Sequence, residues 1–459
     1  MRILHFIIAF GLTGLLLPTT TFAEEPSAPA DAAGTHAWSE QTVLAEYLTM
    51  AARNNPGLRA AFSRWRAAEE RLPQADVLPD PKFTFAWFIQ PVETRTGPQL
   101  FKYGLAQTLP WFGKRGLLRE GAAAETDRLG ALAEQTRLEL FREIKKSYYE
   151  YAYLGRAIDL RSQEISLLQY LGDVIQGKYS AGLAPYSDVL KIEVELGRAE
   201  NRLLKLKDRR TPLSADLDNL LRRREAGLLP LPTQLPIMVM ALEEEELMEA
   251  VSGNTPRLAA LAAIVDRART SVGLAKKNFY PNVTFGLESI HTGSARNPGV
   301  TNADQDPIIG SVSFSIPLWQ ESRKAAVREA QANLKTARLR RQEVRDNLLA
   351  ELQKQLFGYR DAGRRIDLFR NTLIPKAEQA FGAALEAFQT GTISSLDLLN
   401  AEKTFIELEM AYFRALTDQA ARMADIEVLA GGEIPCEFHG SMLAGSQIPG
   451  PGAAAYTLE

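Results

Sequence analysis

The chain carries the same series of landmarks twice, and this internal duplication restricts its fold more than any other feature. Pro56 and Pro256 open similar segments that lie 200 residues apart (256 − 56 = 200). Gly182 and Gly391 follow similar segments that lie 209 residues apart (391 − 182 = 209). Because the landmarks keep their order and the offset changes slowly, we expect two structurally equivalent halves.

The repeat divides the 459 residues into two similar units between a leader and a tail. Residues 1–23 have the features of a secretory signal peptide, because Arg2 precedes the apolar run Ile3–Leu17 and Thr21-Phe22-Ala23 offers a cleavage site. No cysteine follows that site, so we expect an exported protein without an N-terminal lipid. We assign residues 24–236 to the first repeat, 237–431 to the second, and 432–459 to a disordered tail rich in Gly, Pro and Ala.

Each unit contains a pair of segments in which apolar side chains alternate with small or polar ones. Pro81–Pro110 holds the first pair and Pro281–Pro317 the second, and each segment predicts a strand of about nine residues. A strand of this length, apolar on one side only, is long enough to cross a bilayer at a tilt. The pattern alone equally allows a half-buried hairpin packed on helices.

Most of the remaining sequence has the apolar spacing of long helices, in steps of three and four residues. Both copies predict a helix, a strand pair, a very long helix, a sharp turn and a returning helix. No run of some 20 apolar residues follows the signal, so we expect no transmembrane helix. The fold class is mainly α with a small β part, and the predicted helices are Gln41–Asp76, Lys114–Tyr179, Tyr186–Arg224, Leu242–Lys277, Ser322–Gln389 and Ser394–Leu429.

Four membrane-length strands per chain are too few to close a barrel, and unpaired strand edges cannot face lipid. If the strands cross a membrane, several copies must therefore combine them. Three copies supply twelve strands, and their long helical hairpins can continue beneath as a tube. The Ser, Thr and Gly faces of the strands would then line water, and the aromatic faces would meet lipid.

Composition and motifs argue against most other functions. The net charge of −3 and the pI of about 6.0 lack the basic signature of nucleic-acid binding. The single cysteine, Cys436, and the four histidines do not suggest a metal cluster. The sequence lacks the phosphate loop, the Gly-x-Ser-x-Gly elbow, His-Glu-x-x-His and Cys-x-x-Cys. We therefore expect no enzymatic activity, no cofactor and no resident metal ion.

The chain resembles the TolC-like outer membrane efflux proteins in its duplication, its strand pairs and its two turn motifs, which end in Asp188-Val189-Leu190 and Asp397-Leu398-Leu399. The resemblance covers about Trp38–Gly432, and the segments Pro91–Gln99 and Gln107–Lys114 are similar to the heavy-metal branch, which serves copper–silver and cobalt–zinc–cadmium efflux. It implies a homotrimer with a twelve-stranded outer membrane β-barrel continued by a periplasmic α-helical barrel. It also implies a periplasmic adaptor, an inner membrane pump and outer membrane lipid as partners, and no nucleic acid.

The resemblance places adaptor docking at the two turns that join the long helices. The matching residues are Gly182, Leu183 and Ala184 in the first copy and Gly391, Thr392 and Ile393 in the second. Glycine there permits a tight turn and a close approach of another backbone. A glycine that simply ends a helix would explain the same pattern.

The resemblance also places a periplasmic pore constriction just beyond these turns. Its candidate residues are Asp397, Asn400, Phe388, Asp188 and Tyr179. Three Asp397 carboxylates around a narrow axis would attract cations and repel one another, and Asn400 would make the ring less charged. For Asp188 we favour capping of a helix N-terminus, and for Tyr179 and Phe388 ordinary helix packing explains the aromatic side chain equally well.

The leading hypothesis is a passive conduit in the outer membrane with a periplasmic extension, driven by its partners. The alternative is a soluble periplasmic coiled-coil scaffold without a pore. A wide tube selects weakly, so this sequence does not specify whether the substrate is a metal ion or an organic compound.

Overall fold

The computed structural model describes residues 40–223, 227–232, 235–253, 255–297, 299, 301–303 and 305–439. The predicted signal peptide and the last 20 residues of the predicted tail, 440–459, lie outside the described residues. The first copy consists of α1 (Glu40–Asn54), α2 (Pro56–Glu69), α3 (Leu72–Ala75), β1 (Lys82–Thr94), β2 (Gly97–Leu109), α4 (Lys114–Ser180) and α5 (Tyr186–Leu221).

The second copy repeats this order, and a short strand precedes and follows it. It consists of β3 (Ile237–Met240), α6 (Glu244–Gly253), α7 (Pro256–Lys277), β4 (Val283–Thr292), β5 (Ile308–Phe314), α8 (Gln320–Leu368), a π-helical turn (Phe369–Leu373), α9 (Ile374–Thr390), α10 (Ser395–Ala430) and β6 (Cys436–His439). The mainly helical class, the duplication and the two strand pairs are confirmed.

The helix that opens each copy was predicted as continuous, and this prediction is wrong. Asn55 ends one helix and caps the next, because its side chain accepts hydrogen bonds from the N–H groups of Gly57 and Leu58. In the second copy Thr255 caps α7, because its side-chain oxygen accepts a hydrogen bond from the N–H of Leu258. In both cases a proline stands at the first helical position, where no N–H is needed.

The second very long helix was also predicted without interruption, but it widens into the π-helical turn before Pro375. The N–H of Ile374 bonds to the carbonyl of Phe369, five residues earlier. A proline inside a regular helix removes one hydrogen bond and its ring meets the carbonyl of the preceding turn. The wider turn accommodates Pro375, and the helix continues to Thr390. The corresponding helix α4 has 67 residues, about 100 Å at 1.5 Å per residue.

The four longer strands form one antiparallel sheet in the order β1-β2-β4-β5. β1 and β2 each have 13 residues rather than nine, because the backbone pairing continues beyond the alternating side chains to Thr94 and Gly97. Within the described residues, no strand pairs with the outer edge of β1 or of β5. The sheet is therefore open on both sides.

The register places nearly all large apolar side chains on one face of this sheet, as predicted. Phe83 is 69% and Trp87 is 67% exposed, so this face is not covered by the chain itself. The opposite face carries mainly small and polar residues, with Lys102 Nζ 3.7 Å from Glu288 Oε2. The apolar face, called the apolar sheet face below, consists of Phe83, Phe85, Trp87, Phe101, Tyr103, Leu105, Leu109, Val283, Phe285, Leu287, Ile308, Val312 and Phe314.

Aromatic and polar contacts join the sheet to the helices. The rings of Trp111 and Tyr280 stack with their centroids 5.2 Å apart. The side-chain oxygen of Asn282 accepts hydrogen bonds from the N–H of Trp111 at 3.3 Å and from Lys114 Nζ at 3.1 Å. These contacts link the end of β2 and the start of β4 to the start of α4.

The tail was predicted to be disordered from residue 432, and this is wrong for its first residues. Cys436–His439 form β6, which pairs antiparallel with β3, and Met240 lies opposite Cys436. The apolar side chain of Ile434 is buried. Burial of this side chain and backbone pairing with β3 order a segment whose composition resembles that of a flexible tail.

One buried core contains residues of both copies. Tyr148 and Tyr149 of α4 lie in it beside Leu352 of α8, Tyr412 of α10 and Val251 of α6. The helices of one copy therefore cover the apolar side chains of the other.

Candidate functional site at the two helical hairpin tips

The turn between α4 and α5 ends the first long helix with a Schellman motif. Gly182 has φ +74°, and its N–H donates to the carbonyl of Tyr179 at 2.9 Å. The N–H of Leu183 donates to the carbonyl of Lys178 at 2.8 Å. This arrangement satisfies two carbonyls at the helix end and requires a residue that tolerates a left-handed backbone.

The turn between α9 and α10 has the same geometry. Gly391 has φ +80°, and its N–H donates to the carbonyl of Phe388 at 3.1 Å. The N–H of Thr392 donates to the carbonyl of Ala387 at 2.9 Å. A Cβ atom added at either Gly182 or Gly391 would meet no other atom within 4 Å. The two glycines are thus required by backbone conformation and leave open space beside them.

Most of the predicted docking residues are accessible. Leu183 is 77% exposed. Ile393 instead packs partly against a buried cluster. Gly182, Gly391 and Thr392 are exposed, whereas Ala184 and Ile393 are half-buried.

That buried cluster holds the two turns side by side, and we call it the tip core. Its members come from four helices, α4, α5, α9 and α10, and so from both copies. It consists of Leu167, Leu171, Ile175, Val189, Ile192, Phe381, Phe388 and Leu398. Val189 and Leu398 each follow one of the two candidate aspartates, so the equivalent turn motifs meet in one structure.

Asp397 completes a capping box at the start of α10. The hydroxyl of Ser394 accepts a hydrogen bond from the N–H of Asp397 at 3.3 Å, and Asp397 Oδ2 accepts from the N–H of Ser394 at 3.3 Å. The Ser394 hydroxyl also lies 2.8 Å from Asp397 Oδ2 and donates to it. Asp397 remains exposed, so its charge is available to solvent.

Asp188 does not cap its helix, although capping was the role we favoured for it. Its Oδ1 lies 3.0 Å from Lys191 Nζ, and the N-cap position belongs to Pro185, which makes no side-chain capping bond. Proline has no side-chain acceptor that could take part in a capping box. In the second copy, by contrast, the equivalent residue Asp397 does take part in a capping box, at the start of α10.

The two candidate aromatic residues have different environments. Phe388 is buried in the tip core, and Lys178 Nζ lies 4.3 Å from the centre of its ring. Lys178 Nζ also donates a hydrogen bond to the carbonyl of Phe388, a contact that the sequence did not suggest. Tyr179 is 42% exposed, with its ring centre 5.4 Å from that of Tyr186.

Asn400 is exposed and lines a groove of about 470 Å³ between α5 and α10. Leu190 and Val194 line it from α5, and Leu396 and Glu402 line it from α10. This groove, called the α5–α10 groove below, begins immediately beyond the two turns.

A charged cluster that was not predicted from the sequence lies behind this groove. Glu402 is only 2% exposed and Glu164 only 3%, and both lie beside Arg161 and Arg202. The sequence does indicate that Glu402 is buried, because this residue lies on the apolar stripe of α10, between Leu398 and Phe405.

The described ranges contain no group of three His, Cys, Asp or Glu residues placed to hold a metal ion. None of the helices described there is long and apolar enough to span a bilayer.

Comparison with protein families gives a match over both halves of the chain. Residues 47–221 and 247–432 match the model of the family described as outer membrane efflux protein. The two matched segments correspond to the two structural copies.

Two relatives are similar in sequence. The cobalt-zinc-cadmium resistance protein CzcC of Cupriavidus metallidurans is 25% identical over 413 residues, which cover 87% of this chain and 91% of CzcC. The toxin and drug export protein A of Aggregatibacter actinomycetemcomitans is 22% identical over 303 residues, which cover 62% of this chain and 65% of that protein.

A solved structure has the same fold. CusC, whose crystal structures concern conformational changes accompanying folding and transmembrane channel formation, has a TM-score of 0.70 at 14% identity. The alignment covers 85% of this chain and 92% of CusC.

Proposed function

We propose that this chain, which belongs to the outer membrane efflux protein family, is the outer membrane channel of a tripartite efflux system. It provides a passive exit for substrates that an inner membrane pump and a periplasmic adaptor deliver. The family is one of efflux proteins, so the chain acts as a transport channel rather than as an enzyme.

The apolar sheet face is the observation that carries this proposal. Soluble proteins rarely expose so many neighbouring large apolar side chains, whereas a strand face in lipid needs them. The open edges of β1 and β5 must also be paired before the sheet can lie in a bilayer. Three copies joined edge to edge would give a closed barrel of twelve strands, with the helical hairpins continuing from it into the periplasm.

A soluble periplasmic scaffold was the alternative. In that case the strand pairs would be covered by helices of the same chain, but Phe83, Trp87 and Leu287 are 69%, 67% and 60% exposed. Family membership and this exposure favour the channel.

Cell fractionation and electrical recording test the channel together. We expect to find the protein in the outer membrane fraction and to extract it only with detergent. After correction for bound detergent, the extracted particle should have three times the mass of one chain. In planar lipid bilayers the purified protein should conduct ions. Recovery as a water-soluble monomer would contradict the proposal.

For the substrate we propose divalent transition-metal ions of the cobalt, zinc and cadmium class. The support is the similarity to CzcC over 87% of this chain and 91% of CzcC. Deletion of the gene should lower tolerance to these ions and leave tolerance to organic toxins unchanged. The opposite result would assign the channel to the substrates of the toxin and drug export relative.

The adaptor docks, in this proposal, at the exposed hairpin tips. Leu183, which is 77% exposed, is the apolar side chain best placed to contact a partner. We expect Leu183→Asp to reduce adaptor binding at least tenfold, as measured on the immobilised trimer, without changing its thermal stability. Leu204→Asp is the matched control, because Leu204 is 58% exposed on α5 but lies about five turns beyond the tip. Equal binding by both variants would contradict docking at the tips.

The constriction lies, in this proposal, where α10 begins. Asp397 and Asn400 are exposed there, whereas Asp188 is held by Lys191. Phe388 supports the turn from within the tip core, and Tyr179 contacts Tyr186 on its surface. Asp397 is the acidic side chain that we expect to act on passing ions.

A further inference from the structure

Glu402 is a buried carboxylate at the place where helices of the two copies meet. It is 2% exposed, and its Oε1 atom is buried without a hydrogen-bond partner among the described residues. Leu398 and Phe405, its neighbours on the same stripe of α10, lie in apolar clusters. A charged group in such a place is costly unless it is paired.

The nearby arginines are already bound to other carboxylates. Arg161 Nη1 lies 2.7 Å from Glu164 Oε2, and Arg202 Nη2 lies 2.9 Å from Glu164 Oε1. Arg202 Nη2 also lies 2.9 Å from Glu195 Oε1, and Arg198 lies 3.3 Å from the other oxygen of Glu195. Glu164 and Glu195 therefore occupy the Nη atoms of these arginines, and the Nε atom of Arg202 is buried without a hydrogen-bond partner among the described residues.

Glu402 is consequently the carboxyl group of this cluster that holds its proton. Burial, and after it the negative charges of Glu164 and Glu195, raise its pKa from 4.5 to about 8. The positive charges of Arg161 and Arg202 lower the pKa, but less. The side chain is therefore neutral near pH 7 while the helices remain packed.

We propose that Glu402 is a proton-operated contact that holds the first half of α10 against α4 and α5. With its proton, the side chain fits the apolar stripe. When the O–H bond ionises, the proton passes to water through the α5–α10 groove, which Glu402 lines. The ionised carboxylate is then buried away from water beside the negative charges of Glu164 and Glu195, and the recovery of its hydration separates α10 from the helices of the first copy.

The direction of the pH dependence follows from the pKa of Glu402, which is about 8 when the helices are packed and 4.5 when the side chain is in water. Below about pH 4.5 the group is neutral whether packed or solvated, so the packing does not depend on pH. Between 4.5 and about 8 the packed form holds one more proton than the separated form. Each rise of one pH unit in this window then lowers the packing equilibrium by up to about tenfold. Above about pH 8 both forms are ionised and the effect is complete.

One consequence rests on the proposed function. Asp397 and Asn400 lie on the first turns of α10, before Glu402. Separation of this helix from α4 and α5 would move both residues away from the proposed constriction. We therefore expect the channel to conduct better in alkaline than in acidic medium.

A spin-label distance measurement tests the contact directly. Leu190→Cys on α5 and Leu396→Cys on α10 replace exposed, uncharged groove residues, in a Cys436→Ser background. Dilution with unlabelled chain leaves one labelled chain per assembly. Between about pH 5 and about pH 9 we expect the distance to lengthen and its distribution to broaden.

Glu402→Gln imitates the protonated side chain and should keep the acidic distance at every pH. Glu402→Leu is a second neutral variant, for the case in which the glutamine amide disturbs folding. It should also keep the acidic distance at every pH. Glu407→Gln is the matched control, because Glu407 is exposed on the same helix and lies 3.9 Å from Lys403 Nζ. It should respond to pH as the unaltered protein does.

A distance independent of pH, or a response that persists in both neutral variants, would overturn the proposal. Conductance measured over the same pH range separates this outcome from failure of the proposed function. A changing distance with constant conductance would refute the link to the constriction. No conductance at any pH would contradict the channel itself, whatever the distance shows.

Discussion

At the scale of single residues, the two turn glycines are required by backbone conformation and not by crowding. Gly391 has φ +80°, and an added Cβ would meet nothing within 4 Å. We expect Gly391→Ala to lower the free energy of unfolding by about 1 kcal/mol through left-handed strain alone. Gly382→Ala is the matched control within α9, where the added Cβ also meets nothing and should stabilise by about 0.5–1 kcal/mol. Urea unfolding in detergent measures both, and destabilisation by both variants would contradict this reasoning.

Asp397 caps α10 and, in our proposal, also acts electrostatically on passing ions. Substitutions at Asp397 and at Ser394 distinguish these two roles. Asp397→Asn removes the charge but keeps an acceptor for the N–H of Ser394. We expect it to lower the cation preference of the channel and to change stability by less than about 0.5 kcal/mol. Ser394→Ala should cost about 1 kcal/mol and leave ion preference unchanged. Reversal potentials in a salt gradient measure the first effect, and an unchanged value in Asp397→Asn would exclude Asp397 from the constriction.

At the scale of secondary-structure elements, the two faces of β1 predict opposite responses to charge. Phe85 belongs to the apolar sheet face, and its sequence neighbour Thr84 belongs to the opposite face. Because an arginine on the lipid side costs about 2–4 kcal/mol near the bilayer centre, Phe85→Arg should reduce the amount of assembled protein in the outer membrane. Thr84→Arg, one position away, should assemble normally. Equal amounts of both variants in that fraction would mean that the apolar sheet face does not meet lipid.

The elements were predicted well where side-chain periodicity determines the structure and less well where backbone geometry does. The 67-residue helix α4 ends at Ser180, one residue from its predicted end, because its apolar stripe and Gly182 mark it clearly. The interruptions at Asn55 and Thr255 were missed, since capping changes the backbone over only one or two residues. β6 was missed because its partner β3 lies about 200 residues earlier, and pairing over that distance leaves no local pattern.

The candidate site was predictable as a region but not as a set of contacts. The turn motifs pointed to the residues around Gly182 and Gly391, and the tip core holds these two regions side by side. The ion pair of Asp188 and the contact of Lys178 with Phe388 depend on where side chains of different helices meet. No spacing within one helix encodes these contacts.

At the scale of the whole molecule, the shared core predicts that neither copy folds alone. Tyr148 and Tyr149 of the first copy are buried against Leu352 and Tyr412 of the second. When the chain is divided after Pro232 and both parts are exported together, a tag on one part should recover the other. Each part exported alone should aggregate or be degraded, because its share of the core is exposed to water. Isolation of a stable, soluble single part would contradict a shared core.

The apolar sheet face also constrains the route by which the chain reaches its destination. Side chains that suit lipid are poorly tolerated during passage through an aqueous compartment, and two unpaired edges invite association with other unfolded chains. The helical part can form its core in water before the strands are inserted. Biogenesis should therefore need a chaperone that shields these strands in transit, and removing such a chaperone should cause aggregates held together through them.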